Sequence, residues 1–300
     1  MKLKGIKKEV IQGFLEFTYQ DVGNERIDMN KVRDAFEFVK NNIKTFNDEV
    51  VSYFTEYYNE LIDEYKYFVT DCFSPLRSNA NVFAVVNENV YKETAYTSLL
   101  GYFLRDKDFG QDLFRALLVS VGIYDKCTLE DVKCEQKDYI RRYDVVCVCN
   151  DGSKLIIEAK INAIESESQT DDIYYYNSYD DCYFIYLTID GSNACNEHFE
   201  SLSWNKLAAA FYAGYNTYRY GLMKKLNNDI SWKGLDFSKI VNTNNGIYLQ
   251  MWLSNIMTYL YNIEEISNGD INQNEHLSIY TKCAEFIKDY ENIMEELNGY

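Results

Sequence analysis

Two apolar, β-branched runs separated by an Asn-Asp-Gly turn constrain this chain more than any other feature. Tyr139-Ile-Arg-Arg-Tyr-Asp-Val-Val-Cys-Val-Cys149 precedes Asn150-Asp151-Gly152, and Lys154-Leu-Ile-Ile-Glu-Ala-Lys-Ile161 follows it. Such a pair reads as a β-hairpin. If the loop is the three residues 150–152 with Gly152 left-handed, a G1 bulge closes it and Cys149 faces Ser153. Asp144 then lies opposite Glu158, and Lys160 follows on the same face. A two-residue Asp-Gly loop would instead place Asp144 and Glu158 on opposite faces. The register therefore decides the chemistry.

Two carboxylates about 5 Å apart across a strand pair repel each other unless a divalent cation or a lysine neutralises them. Hard oxygen ligands of this kind suit Mg²⁺ or Mn²⁺, which keep several waters and accept a substrate phosphate. Lys160 would then orient or activate an attacking water, or stabilise charge developing on the phosphate. The alternative is an exposed strand pair with an ordinary Asp/Glu–Lys ion pair. The Val, Ile, Leu and Cys neighbours argue against it, because both faces of the hairpin read as buried.

The rest of the chain reads mainly as helix. A stripe of Val32, Phe36, Val39, Ile43, Phe46, Val50, Tyr53 and Tyr57 marks a long amphipathic helix over 29–71, as a packing surface or a dimerising arm. Ser74-Pro75 and the Ser/Asn run at 78–81 end it. Helices are expected over 91–105 and 110–121, from the polar run 165–172 through Tyr174–Tyr176, and over 204–220, 247–263 and 277–297. Residues 181–190 form a further buried strand. The tyrosine run at 174–176 is expected to pack its helix against the sheet. This order gives an α/β chain with a helix-flanked mixed β-sheet: a helical region 1–80, a core 81–191 and a helical region 192–300 packed on that core.

Composition narrows the function. With 47% hydrophobic residues, 28 tyrosines, 17 phenylalanines and one proline in 300 residues, neither disorder nor a collagen-like chain is expected. No run approaches the roughly 18 apolar residues of a membrane span. The lysines at 2, 4, 7 and 8 lack an apolar segment behind them and so do not read as a secretory signal. Eight scattered cysteines without a CxxC pair, and only two histidines, argue against zinc and for a reducing, cytoplasmic setting. Cys147 and Cys149 read as small buried hydrophobes. His198 and His276 read as surface residues, and Trp204, Trp232 and Trp252 as core or capping aromatics. Gly-rich phosphate loops, G-x-S-x-G elbows and HExxH are absent from the sequence. The formal charge of −17 sets phosphate backbones against most of the surface.

Asp144, thirteen intervening residues and then Glu158-Ala159-Lys160 resembles the motif of the PD-(D/E)XK nuclease superfamily, in a bacterial branch with an upstream glutamate helix. Asn81-Val-Phe, Tyr91-Lys-Glu93-x-x-x-Thr97-Ser98 and Leu99-Leu-Gly-Tyr-Phe-Leu104 are similar to that branch's first core helix. Ile156-Ile-Glu-Ala-Lys-Ile-Asn-Ala163 with Gln169 is similar to its metal-binding strand and following helix, and Phe184-Ile-Tyr-Leu-Thr-Ile-Asp-Gly191 to its next strand. The resemblance covers about residues 81–191. Tyr143 stands where the superfamily has proline, and Thr170-Asp171-Asp172 follow Gln169 where a basic residue and a tyrosine are usual.

The resemblance implies a restriction-endonuclease-like fold and a Mg²⁺- or Mn²⁺-dependent endonuclease, acting on DNA rather than RNA, in bacterial defence or mobile-element biology. Asp144 and Glu158 would be metal ligands, the Ala159 carbonyl a third, and Glu93 a further ligand or supporting carboxylate. Lys160 would be the catalytic lysine, and Gln169 would position water or substrate. Arg141 and Arg142 could hold a phosphate or pair with a carboxylate. Nucleic acid would be bound weakly by the protein alone, with a protein partner or a homodimer formed through the 29–71 helix. The competing reading is a catalytically silent nuclease-like fold acting in an assembly.

Overall fold

The computed structural model describes residues 52, 55–57, 59–60 and 63, and then 93–299 with breaks at 125–126, 138–141, 162, 164, 167, 180, 241 and 262–272. The backbone divides into two units, Met1–Asp63 and Glu64–Tyr300. In the first unit the described residues are helical and exposed. The stripe from Val32 to Tyr53, and with it the expected dimerising face, lies outside the described residues. So do Asn81–Lys92 and Arg141.

In the second unit the chain runs α1 (Glu93–Leu104), α2 (Gly110–Ser120), β1 (Leu129–Lys137), β2 (Arg142–Cys149), β3 (Lys154–Ala159), α3 (Gln169–Asn177), β4 (Cys182–Thr188) and β5 (Glu200–Ser203). Then come α4 (Trp204–Leu226), α5 (Asn244–Asn255), which continues as a π-helical turn over Ile256–Leu260, and α6 (Gln273–Asn298). The five strands lie side by side in chain order. β1–β2 and β2–β3 are antiparallel, whereas β3–β4 and β4–β5 are parallel. The fold is thus α/β with an open, mixed, helix-flanked sheet.

The turn between β2 and β3 takes the three-residue form. Gly152 sits at φ +89° and donates its N–H to Cys149 O at 3.0 Å, while Cys149 N–H reaches Ser153 O at 2.9 Å. Asp151 Oδ1 accepts both the Ser153 N–H and its hydroxyl, at 2.9 and 2.7 Å. The ladder runs Val148↔Lys154, Cys147↔Leu155, Val146↔Ile156 and Val145↔Ile157, so the next pair outward is Asp144 and Glu158.

Strand alternation then sorts the sheet into two cores. Val145, Cys147, Cys149, Leu155, Ile157, Ala159, Ile185 and Leu187 face the larger one, built with α1, α2, α4, α5 and α6. Val146, Ile156, Phe184 and Tyr186 face the smaller one, closed by Ile173 and Tyr174 of α3. Asp144, Glu158 and Lys160 have the parity of this second face.

The helices of the larger layer follow their apolar spacing. Tyr96, Leu100, Phe103 and Leu104 of α1 are buried, as are Cys283, Phe286, Ile287, Tyr290, Ile293, Met294 and Leu297 of α6, steps of three and four that keep one stripe inward. Each such side chain contributes about 1.5–3 kcal/mol of burial. α4 is buried on nearly all sides, and its Ala208-Ala-Ala210 run and Gly214 let neighbours approach closely. A Cβ on Gly214 would stand 2.6 Å from the carbonyl oxygen of Asp112 in α2. The Ser203 hydroxyl accepts the Lys206 N–H at 3.1 Å and caps the helix. Near its other end Arg219 is buried without a carboxylate. Its guanidinium donates to Asn216 Oδ1 at 3.1 Å and to the carbonyls of Phe237 and Ile240, and lies over the Tyr215 ring.

Sequence periodicity had placed neither β1 nor β5. β1 (Leu-Glu-Asp-Val-Lys-Cys-Glu-Gln-Lys) is an edge strand with one fully buried residue, Val132, so it carries little hydrophobic alternation. β5 is four residues long. No described helix is long and apolar enough to cross a membrane.

Candidate active site

The charged residues of the hairpin meet where β2 and β3 leave the turn behind. Asp144, Glu158 and Lys160 are all buried, Glu158 to 2% exposure. Asp144 Oδ2 accepts the Ala159 N–H at 2.9 Å, fixing one carboxylate across the strand pair. Lys160 Nζ donates to Glu158 Oε1, and to the Ala159 carbonyl at 3.0 Å. Glu93, in the first turn of α1, arrives from the other side of the sheet. Its Oε2 accepts the Ile161 N–H at 3.2 Å and its Oε1 lies 3.9 Å from Lys160 Nζ. From α3, Gln169 Nε2 donates to the same Glu158 oxygen that Lys160 holds. Gln169 Oε1 in turn accepts the Ser166 hydroxyl at 3.2 Å. The structure therefore brings together Asp144, Glu158, Ala159, Lys160, Glu93 and Gln169.

Burial drives the electrostatics. It raises the Glu158 carboxyl to about 7, with the Asp144 charge adding to the rise and Lys160 opposing it. Asp144 and Glu93 are also pushed up, burial again being the main cause. For Lys160 burial alone would lower the ammonium, but Glu158, Glu93 and Asp144 together hold it above its usual value. The site is a buried cation ringed by carboxylates that want a further positive charge.

Among the described residues, no group of three or more His, Cys, Asp or Glu side chains is set to hold a metal ion. The available donors are fewer and all oxygen: the Asp144 and Glu158 carboxylates and the carbonyl of Ala159, the residue after Glu158. One or two carboxylates with the remaining positions left to water and phosphate is what Mg²⁺ accepts, so the donor chemistry fits a divalent hard cation.

Three further residues carry the site although sequence patterns did not single them out. Tyr186 is paired across β3–β4 with Glu158. Burial, with Glu165 and Glu158 adding, raises its phenol to about 12, so it stays protonated and neutral. The parity of Tyr186 on a strand parallel to β3 is the signal that could have found it. Glu165 ties the start of α3 to the loop after β4, accepting the Thr170 N–H and hydroxyl and the Cys195 N–H at 3.0 Å. Glu135 of β1 lies between the pairs Cys134↔Val145 and Gln136↔Tyr143, and so faces Asp144. It pairs with Arg142, whose role here is that ion pair. Glu135 (φ +55°) and Ser168 (φ +61°) are the two described non-glycine residues in the left-handed region, one facing Asp144 and the other preceding Gln169. Strain of this kind gathers at functional sites.

Other expected positions fall elsewhere. His198 stacks on Tyr174, ring centroids 4.0 Å apart. Trp204 and Trp252 are core residues, and Trp232 packs at its margin. Of the run 174–176 only Tyr174 packs inward, against Phe184; Tyr175 and Tyr176 are exposed. The helical period leaves only one of three consecutive side chains facing the sheet.

Comparison with known proteins finds no matching family model, and neither a curated protein nor a solved structure matches the chain.

Proposed function

We propose that this chain is a metal-dependent phosphodiester hydrolase with a restriction-endonuclease-like core, acting on DNA rather than RNA. The observation that supports it is the convergence of Asp144, Glu158 and Lys160 on one face of the β2–β3 pair, closed by Gln169 from α3. Asp144, Glu158 and the Ala159 carbonyl would hold Mg²⁺ or Mn²⁺. Bound there, the cation would supply Lewis-acid charge at the scissile phosphate and a more acidic attacking water. Lys160, kept charged by its carboxylate neighbours, orients that water and offsets charge developing on the phosphate oxygens as the water oxygen bonds to phosphorus and the leaving oxygen departs. Gln169 holds the Glu158 carboxylate in place. Glu93 holds the Ile161 N–H, and through it the end of the strand that carries Lys160.

The formal charge of −17 goes with weak binding of nucleic acid by this protein alone, and with delivery by a protein partner. No disulfide joins the seven cysteines among the described residues, which suits the cytoplasm. Incubation of supercoiled plasmid with the protein and Mg²⁺ or Mn²⁺ tests the reading. Nicking or linearisation by wild type, abolished in Lys160→Ala and Asp144→Ala, supports it. No cleavage of any DNA or RNA, with no thermal shift on adding Mn²⁺, overturns it and leaves a silent nuclease-like fold serving an assembly.

A further inference from the structure

The far end of α3 carries an exposed aromatic surface that does not enter either core of the described residues. The helix is fixed at both ends: Gln169 holds Glu158, and Asn177 Nδ2 donates to the Tyr143 hydroxyl at 3.1 Å. Its inner face buries Thr170 and Ile173, and Tyr174 is taken up by Phe184 and His198. Beyond it Tyr175 is 63% exposed, Tyr176 47% and Tyr179 88%. The Tyr175 and Tyr176 rings meet edge to face at 5.4 Å. Tyr175 and Tyr176 on an anchored helix, with Tyr179 in the turn two residues past its end, make a platform rather than scattered surface apolar groups.

Its position relates it to the carboxylates. Tyr176 is seven residues past Gln169, hence on the same helical stripe and about 10 Å further along the axis. A strand with a phosphate at Asp144 and Glu158 that ran along α3 would bring a neighbouring nucleotide to Tyr176, with Tyr175 beside it. The local charge says how it would be held. Asp171 and Asp172 occupy the first turn of α3. Among the described residues the site cations are engaged, Lys160 with Glu158 and Arg142 with Glu135. Grip through phosphates is therefore poor, whereas stacking on a neutral ring needs no positive charge. Stacking of that kind requires bases that are free of a duplex.

We propose that Tyr175, Tyr176 and Tyr179 form a stacking platform for unpaired nucleobases, so that single-stranded DNA is preferred to duplex. The inference rests on the phosphodiesterase reading for the role of the carboxylates, but its test does not depend on cleavage. Fluorescence anisotropy of the full chain against a labelled oligothymidylate and a labelled duplex of equal length, in EDTA and in Mg²⁺, measures binding directly. The expected result is tighter binding of the single strand. Tyr175→Ala and Tyr176→Ala should each weaken it at least about fivefold, while Tyr175→Phe and Tyr176→Phe retain it. Tyr176→Trp adds a second readout, quenching of the new indole emission as oligothymidylate saturates the protein. Equal affinity for duplex and single strand, insensitivity to the alanine changes, loss in the phenylalanine variants, or no quenching would each overturn the proposal. Metal-dependent cleavage that ignores these tyrosines sinks the platform and spares the hydrolase. Tyrosine-dependent binding of the single strand without cleavage does the reverse.

Discussion

Lys160 donates from Nζ to Glu158, two residues back along the chain, so a single ammonium is the built-in counter-charge of a carboxylate that is 2% exposed. Removing one partner of a buried pair leaves the other uncompensated. Lys160→Met should cost about 3–5 kcal/mol near pH 8 and clearly less near pH 5, where Glu158 takes up a proton. Urea unfolding of the variant at the two pH values checks this; equal losses at both would show that Glu158 does not depend on Lys160.

The cation-free wild type should itself weaken with rising pH. Glu158 titrates at about 7 in the folded chain against 4.5 for the free side chain, and Asp144 and Glu93 move in the same direction. Between those values the folded state binds more protons than the unfolded state, so stability falls as pH rises through the window. Lys160, raised above 10.5, keeps its contribution throughout this range. Urea unfolding in EDTA should therefore show stability, and with it the midpoint, dropping between about pH 5 and pH 8, by on the order of 2–3 kcal/mol of unfolding free energy for Glu158. Saturating Mn²⁺ should flatten the drop. A midpoint that rises over this interval would contradict the site's electrostatics.

Gly152 carries the register on which the site depends. A Cβ there meets open space, so the expected cost of Gly152→Ala comes from φ +89° alone, about 1–2 kcal/mol. Gly152→Asn should cost less, because asparagine tolerates the left-handed region. Deletion of Asn150 is the sharper change: it shortens the loop to Asp-Gly and should move Asp144 off the Glu158 face. Chemical denaturation ranks the point variants, and the Mn²⁺-induced thermal shift should vanish in the deletion.

At Gly214 the constraint is space rather than backbone angle. Gly214→Ala would force α4 from the Asp112 carbonyl and from Leu113 Cα, which stands 2.9 Å from the added carbon. Overpacking a helix crossing costs about 1–3 kcal/mol. By contrast Gly221, on the same helix, has no atom near an added Cβ, so Gly221→Ala should stabilise by about 0.5–1 kcal/mol. Opposite shifts in thermal midpoint for the two variants are the expected outcome.

Arg219 is held by three oxygen acceptors and no carboxylate, and burial lowers its guanidinium below the usual value. Arg219→Lys should still lose roughly 2–4 kcal/mol, because one ammonium cannot span the Asn216, Phe237 and Ile240 acceptors. Proteolysis between 227 and 243 should rise in the variant if the guanidinium ties that segment down.

The hairpin was legible because its turn chemistry and β-branched runs are local, and the three-residue loop then set the facing of Asp144 and Glu158. Helices α1, α2, α4 and α6 were legible from apolar steps of three and four. β1 was not, because an edge strand with one buried residue, Val132, has no alternation to read. Glu165 and Tyr186 were missed for another reason. Their roles arise from contacts between α3, β4 and the following loop, which spacing along the chain does not encode. The tyrosine run misled because its composition signals burial while the helical period turns two of the three rings outward.

Glu135 has a consequence beyond the carboxylate it faces. β1 lies at an edge of the sheet, where a free row of peptide groups invites another chain to add a strand. Glu135 and the exposed Glu130, Asp131, Lys133 and Lys137 charge the strand along its length, while the Gln111 side chain takes the N–H and carbonyl of Leu129 and Arg105 takes the carbonyl of Val132. These charges and side-chain bonds also keep one molecule's sheet from templating the next, so this aromatic-rich chain can carry a carboxylate pair beside its edge strand without aggregating through that edge.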